Sequence, residues 1–250
     1  EMKNPPFGIS DVKQMVKQTI CLDYGQVSDI TPDIRITFYN AGHILGSAMT
    51  HLHIGNGLHN LLYTGDMLYD NSNLLGKAAT RFPRLETVIV ESTYGGRDDN
   101  PPSRKDCELQ LIEIIKKTIS GGGKVLLPVL GVGRSQEIMV MLERVMREGS
   151  IPKVPIFVQG LVWDVTAIHT AYPDFFNAKI RKQIFFENMN PFLSEVFSRV
   201  AGWKEMQVVK DREEPCIIMA TSGMLAGGAS VDYFKHLGPN PKNSIVLTCY

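Results

Sequence analysis

Cysteine is scarce in this chain: Cys21, Cys107, Cys216 and Cys249 lie far apart, and none forms a Cys-x-x-Cys pair. That excludes a disulfide-stapled scaffold and a paired-thiol metal or redox motif, and it reads as reduced thiols in a cytoplasmic protein. Net charge is missing as well. Lys and Arg number 26 against 26 Asp and Glu, so no bulk field drives the molecule onto polyanions, and any nucleic-acid contact must use a local positive groove. No apolar run approaches the length of a membrane span, and the opening Glu-Met-Lys-Asn-Pro-Pro is not a signal peptide, so no membrane partner is expected. Internal repeats and low-complexity tracts are absent too. What remains is an ordinary globular composition over 250 residues, enough for one large core or two moderate ones. A start at Glu1 rather than Met suggests a piece of a longer polypeptide.

The first part reads as strand-rich and largely antiparallel. Ser10 can cap a helix with Val12, Met15, Val16 and Ile20 at helical spacing. Ile34, Ile36 and Phe38 alternate with Arg35 and Thr37, the pattern of a half-buried strand. Residues 49–54 and 61–64 form two strands around the hairpin signal Gly55-Asn-Gly57, and 85–90 form a third, closed by Glu91. The polar, Pro-containing stretch 97–102 then marks a boundary, giving domains of 1–95 and 96–250. Beyond it, Ser103 caps a helix ended by Gly121-Gly-Gly123, 124–129 is a buried strand, and 134–147 is a helix. A strand at 154–158, helices at 161–171 and 173–186, strands at 215–221 and 244–249, and a helix near 230–236 follow. Strands alternating with helices imply βαβ units and a mostly parallel sheet, an α/β fold.

Three residues stand out. His43 lies on a loop between Gly42 and Gly46, which lets the backbone present an imidazole rather than pack it. Asp66 follows the apolar run 61–64 and Gly65, and Glu91 leaves another apolar run. Carboxylates at strand exits are costly to desolvate unless paired or coordinated, and with an imidazole they are raw material for a metal-assisted hydrolytic site. Each has a plainer alternative: a turn aspartate after glycine at 66, and a carboxylate capping the Thr93 or Tyr94 amide at 91. His51-Leu-His53 with His59 offers a second imidazole group, but it falls within the hairpin and reads as packing or surface.

Two glycine-rich turns could meet an anion. Gly131-Val-Gly-Arg-Ser-Gln-Glu137 joins a strand end to a helix start, where free amides, the helix dipole and Arg134 favour a phosphate near Gly133. It is no dinucleotide fingerprint, because Gln136 stands in place of the third glycine and the next strand ends at Gln159 rather than an acid. Gly121-Gly-Gly-Lys124 is no phosphate-binding lysine loop either, since Val125 follows the lysine. The second turn, Ser222-Gly-Met-Leu-Ala-Gly-Gly228, allows close approach of a ligand at Ser222 and Gly223.

In this order the segments resemble the metallo-β-lactamase/β-CASP nucleases of the cleavage and polyadenylation specificity factor family. Ala-Gly-His-Ile-Leu-Gly-Ser at 41–47 looks like that family's third metal motif, and Tyr-Thr-Gly-Asp at 63–66 like its fourth. Glu-Ser-Thr-Tyr-Gly at 91–95 is similar to the first β-CASP motif, and the turns at 128–137 and 222–228 to two further β-CASP turns. Arg81-Phe-Pro-Arg84 and Asn190-Pro-Phe-Leu193 point to the archaeal branch, which includes a KH-domain enzyme implicated in transcription termination.

The resemblance implies part of a metallo-β-lactamase αββα domain followed by most of a β-CASP domain. It implies a zinc-dependent RNA endonuclease, with 5′–3′ exonuclease activity as in some relatives, holding two zinc ions per complete site. His43 and Asp66 would be metal ligands, with Asp66 bridging, and Asp66 and Glu91 would be catalytic, Glu91 by orienting a histidine. Gly133, Arg134, Ser222 and Gly223 would meet RNA phosphates. Implied partners are RNA, RNA polymerase or the processing machinery, and a second copy in a homodimer. The family's His-x-His-x-Asp-His cluster and its late histidines do not occur in this chain. The chain therefore reads as an internal fragment, inactive alone. A non-catalytic β-CASP scaffold, a small-molecule hydrolase of the wider superfamily and a dinucleotide oxidoreductase are the competing readings.

Overall fold

The computed structural model describes residues 5–99 and 101–248, in two units that are taken separately below. The first comprises the described residues up to Asn40, with Ala48–Gly65 and Ala79–Val90. It opens with helix α1 (Ile9–Gln18) and continues through β1 (Val27–Thr31), β2 (Ile34–Asn40), β3 (Ala48–Ile54), β4 (His59–Tyr63) and β5 (Thr87–Ile89). The five strands lie side by side in chain order, antiparallel from β1 to β4, with β5 parallel to β4. Gly55–Gly57 forms a single 3-10 turn that closes the β3–β4 hairpin, as the glycines foretell.

Helix α1 is not capped by Ser10. Asp11 reaches back to accept the Gly8 amide at 2.7 Å, so the helix begins two residues earlier than the serine suggests. In β2, Ile34, Ile36 and Phe38 are half-buried as expected, yet the deepest residue of that strand is Thr37. Thr37 faces His51 across β2 and β3, and both are buried. The polar face is thus the covered one: Phe82 packs edge-on to Tyr39, and the Arg84 carbonyl lies 3.1 Å from His51 Nε2.

The second unit holds Ala41–Ser47, Asp66–Ala78 and the described residues from Glu91 onward. Its elements are α2 (Arg104–Ser120), β6 (Val125–Pro128), α3 (Arg134–Arg147), β7 (Ile156–Gln159), α4 (Leu161–Ala171), α5 (Ala178–Phe186), β8 (Phe197–Val200), α6 (Trp203–Asp211), β9 (Ile217–Ala220), α7 (Ala229–Leu237) and β10 (Ser244–Ile245). The strands pair in the order β10-β6-β9-β7-β8, all parallel. Every residue of β6 and β9 is buried, the mark of parallel strands covered on both faces.

Alternation along the strands sorts the helices. Val125, Leu127, Ile217 and Met219 point into one core with Ile115 and Ile119 of α2 and Met139 and Leu142 of α3. Leu126 and Ile218 point the other way, into a core with Met206 and Val209 of α6 and Tyr233 and Leu237 of α7. The α/β reading holds, and helices α2 and α3 end at or near the bounds that the caps indicate, with Ser103 accepting the Asp106 amide at 3.1 Å. Helix 173–186 does not form in one piece. Pro173–Phe175 is a 3-10 turn, and Asn177 caps a new helix by accepting the Ile180 amide at 3.0 Å. The strand expected at 244–249 is paired only over Ser244–Ile245, and its end at Cys249 lies outside the described residues. Strands β1 and β8 and helix α6 were not foreseen.

Candidate functional site

Adjacent strands β6 and β9 send their following helices to opposite faces of the sheet, α3 to one and α7 to the other. Such a switch point leaves a crevice at the carboxyl ends of the strands, where ligands bind in open α/β sheets. A cleft of about 320 Å³ opens there, lined by Leu130, Val132, Gly133 and Arg134 from the β6–α3 turn and by Met224 from the β9–α7 turn. His43 and Asp66 line the same cleft. Residues from the two loops that the sequence singles out therefore meet the turn with Arg134, within the second unit.

The loop with His43 is shaped by its own small residues. Ser47 Oγ accepts the amides of His43 at 3.1 Å and Ile44 at 3.2 Å, and Ala41 donates to the Ser47 carbonyl at 3.0 Å. Gly42 has φ of 67°, and a Cβ there would fall 2.8 Å from both the Ala78 nitrogen and the Gly76 oxygen. The Leu68 amide donates to the Ala41 carbonyl at 2.9 Å, which ties the segment with Asp66 to the loop with His43. Both candidate side chains are exposed to the cleft rather than packed.

Glu91 does not line the cleft. Its Oε2 accepts the Thr93 amide at 3.0 Å, as the plainer reading has it, and its Oε1 accepts the Met67 amide at 3.4 Å, one residue from Asp66. Hydrogen bonds from Thr93, first its side chain and then its backbone, hold this carboxyl below the usual range, with smaller help from the Met67 amide and the nearby His43 imidazole. Ser222 and Gly223 are not among the cleft residues either. Gly223 is buried, and Ser222 closes its own turn, with Oγ accepting the Ala226 amide at 3.0 Å and the carbonyl accepting Ser230 Oγ at 2.7 Å.

The helix start at Gly133 is partly self-satisfied. Gln136 Oε1 accepts the Gly133 amide at 2.8 Å, and its Nε2 donates to Thr166 Oγ1 at 3.1 Å. The glutamine that spoils the dinucleotide pattern thus serves as a buried cap, leaving the helix dipole and the exposed Arg134 to face an anion. Sequence reasoning missed Arg104 and Glu137, which also line the cleft. Arg104 follows a helix cap and Glu137 ends the turn motif, but nothing local signals that they pair. Lys124 is likewise accounted for, with its ammonium donating to the Lys210 and Val209 carbonyls at the end of α6 at 2.7 and 3.3 Å.

The histidines of the hairpin pack, as expected. His51 is fully buried, His53 Nδ1 lies 2.7 Å from Asn60 Oδ1, and His59 Nε2 lies 3.0 Å from Thr87 Oγ1. Among the described residues no group of three or more His, Cys, Asp or Glu side chains is arranged to hold a metal ion. A zinc site needs about four donors, so His43 and Asp66 do not fit a closed zinc shell by themselves.

Residues 135–250 match the Beta-Casp domain model. The chain belongs to the β-CASP family. Over 248 residues it is 54% identical to the transcription termination factor FttA of Pyrococcus horikoshii, covering 99% of this chain and 38% of that protein. It is 52% identical over 250 residues to the FttA of Methanocaldococcus jannaschii, covering 100% of this chain and 39% of that one. The FttA of a Lokiarchaeum species is 48% identical over 245 residues, 98% of this chain and 38% of its own length. All three relatives are archaeal, in keeping with the branch to which the motifs point. The chain thus spans a little over a third of the length of these relatives. Among the described residues no helix is long and apolar enough to cross a membrane.

Proposed function

We propose that the full-length protein containing this chain is a cytoplasmic ribonuclease that cuts RNA in transcription termination or 3′-end formation and depends on zinc. The observation that carries this reading is the shared cleft: His43, Asp66 and Arg134 line one crevice at the switch point of a parallel sheet. The names of the relatives, all transcription termination factors, support the cellular role. On this reading Asp66 and His43 contribute two of the donors for the metal, and further ligands come from outside the described residues. The cation would supply the charge that activates water and stabilises a phosphodiester under attack. Arg134, with the dipole of α3 behind it, would hold the phosphate of the scissile region, and Gly133 and Met224, which line the cleft from the two turns, would bound its path. Glu91 keeps the Asp66 segment in place through the Met67 amide and would orient a histidine beyond the described residues. RNA is the substrate, RNA polymerase or processing factors the protein partners, and a homodimer the assembled form.

Asp66→Ala in the full-length protein should lower the cleavage rate at least about a thousandfold while leaving the fold and RNA binding in place. Cleavage at the wild-type rate would remove the assigned role. Loss of cleavage only in parallel with loss of fold would favour a structural aspartate, and a wild-type protein that binds RNA without cutting it would favour the scaffold reading.

A further inference from the structure

The segment with Asp66 is held against α3 by a side chain to which the proposed chemistry gives no role. Glu137 stands in the first turns of α3, three residues past Arg134, with its carboxylate only 13% exposed. Its Oε2 accepts the Asn73 amide at 2.8 Å, and its Oε1 accepts the Leu74 amide at 3.0 Å. Arg104, at the start of α2, donates to the same Oε2 at 3.2 Å. A largely buried carboxylate survives only when its oxygens are met in this way, so the three donors and Glu137 specify one another.

The segment it grips is tied down by further contacts. Ser72 Oγ accepts the Leu74 and Leu75 amides at 3.2 and 2.6 Å, and Leu74 and Leu75 are buried in the core with α3. Asn177 Nδ2 donates to the Ser72 and Asn73 carbonyls at 3.2 and 3.1 Å. Upstream in the same segment, Leu68 donates to Ala41 and accepts from Ala78 at 2.8 Å, so a shift at 73–74 is transmitted to Asp66 and to the loop with His43. Glu137 also lines the cleft itself, beside Arg134.

We infer that Glu137 is a positioning residue: it locks the 66–78 segment to the start of α3 and so fixes Asp66 and His43 against Arg134. This rests on the functional reading above in so far as that arrangement serves phosphodiester cleavage; the lock itself does not. Misplacement of a reacting group by about an ångström costs on the order of a hundredfold in rate, so one carboxylate can control the chemistry without touching substrate.

The test uses the full-length protein with the isosteric Glu137→Gln, which removes the charge and one acceptor at nearly constant volume. Amide exchange at Asn73 and Leu74 should quicken about tenfold. The cleavage kcat should fall about tenfold with KM for RNA within about twofold and the unfolding midpoint little changed. Glu137→Asp, which keeps the charge for Arg104 but draws the carboxylate back by one methylene, should fall between the two. Unchanged exchange at Asn73 and Leu74 in both variants overturns the lock. Equal losses in kcat and stability, with KM rising, overturn the positioning role. If the wild type cuts no RNA, the functional reading fails while the exchange measurement still decides the lock.

Discussion

At the scale of single residues, the cleft depends on positions where no other side chain fits. Gly42 takes a left-handed conformation with backbone atoms of residues 76–78 where a Cβ would stand. Gly133, with φ of 81°, would push a Cβ to 2.6 Å from Ile44 Cγ2. Gly42→Ala should therefore destabilise the protein by roughly 2–4 kcal/mol, read from the denaturant midpoint, and a loss within about 0.5 kcal/mol would mean that the loop relaxes freely. The glycines were legible as flexible points, and the candidates by their settings: His43 between Gly42 and Gly46, Asp66 after an apolar run, and Arg134 on a glycine-rich turn at a helix start. Glu137 and Gln136 were not. Their partners, Asn73, Leu74 and Thr166, are remote in sequence, and pairing across such distances leaves no local pattern.

At the scale of elements, periodicity and caps located α2, α3, β6 and β9 because their signals are strong: a serine cap, a glycine stop, and strands apolar on both faces. Strand β8, Phe-Ser-Arg-Val, and helix α6, in which Lys204, Glu205 and Gln207 interrupt the apolar Trp203, Met206, Val208 and Val209, are short and take their form from packing. Helix α4 buries His169, whose ring lies against Phe176 and Phe192 and whose Nε2 has no hydrogen-bond partner among the described residues. Burial pushes its pKa below the ordinary 6.5, and that of His51 likewise. A histidine kept neutral when folded but free to protonate when unfolded favours the unfolded chain as the pH drops below 6.5. Stability should therefore fall from pH 7 to pH 5, above the range in which Glu86 and Glu91, both lowered from 4.5, begin to lose theirs. His169→Leu should narrow the difference in urea midpoint between those two pH values. An undiminished difference would place the effect elsewhere.

At the scale of the molecule, the balance of charge leaves recognition to local features, and the second unit concentrates them where β6 and β9 part. The fold class could be read from alternating strands and helices, but strand order could not, since β9 lies between β6 and β7 although it follows both in the chain. Convergence of His43 and Asp66 on one cleft was suggested only by the order of the motifs, and on the proposed reading further donors would have to complete the site. Their joint hold on a metal is the central claim. The most direct measurement is the zinc content of the purified full-length protein, wild type against His43→Ala and Asp66→Ala, by mass spectrometry under native conditions. The account predicts about two ions per wild-type chain and a clear loss in each variant with the fold retained; the same zinc content in all three proteins would contradict it.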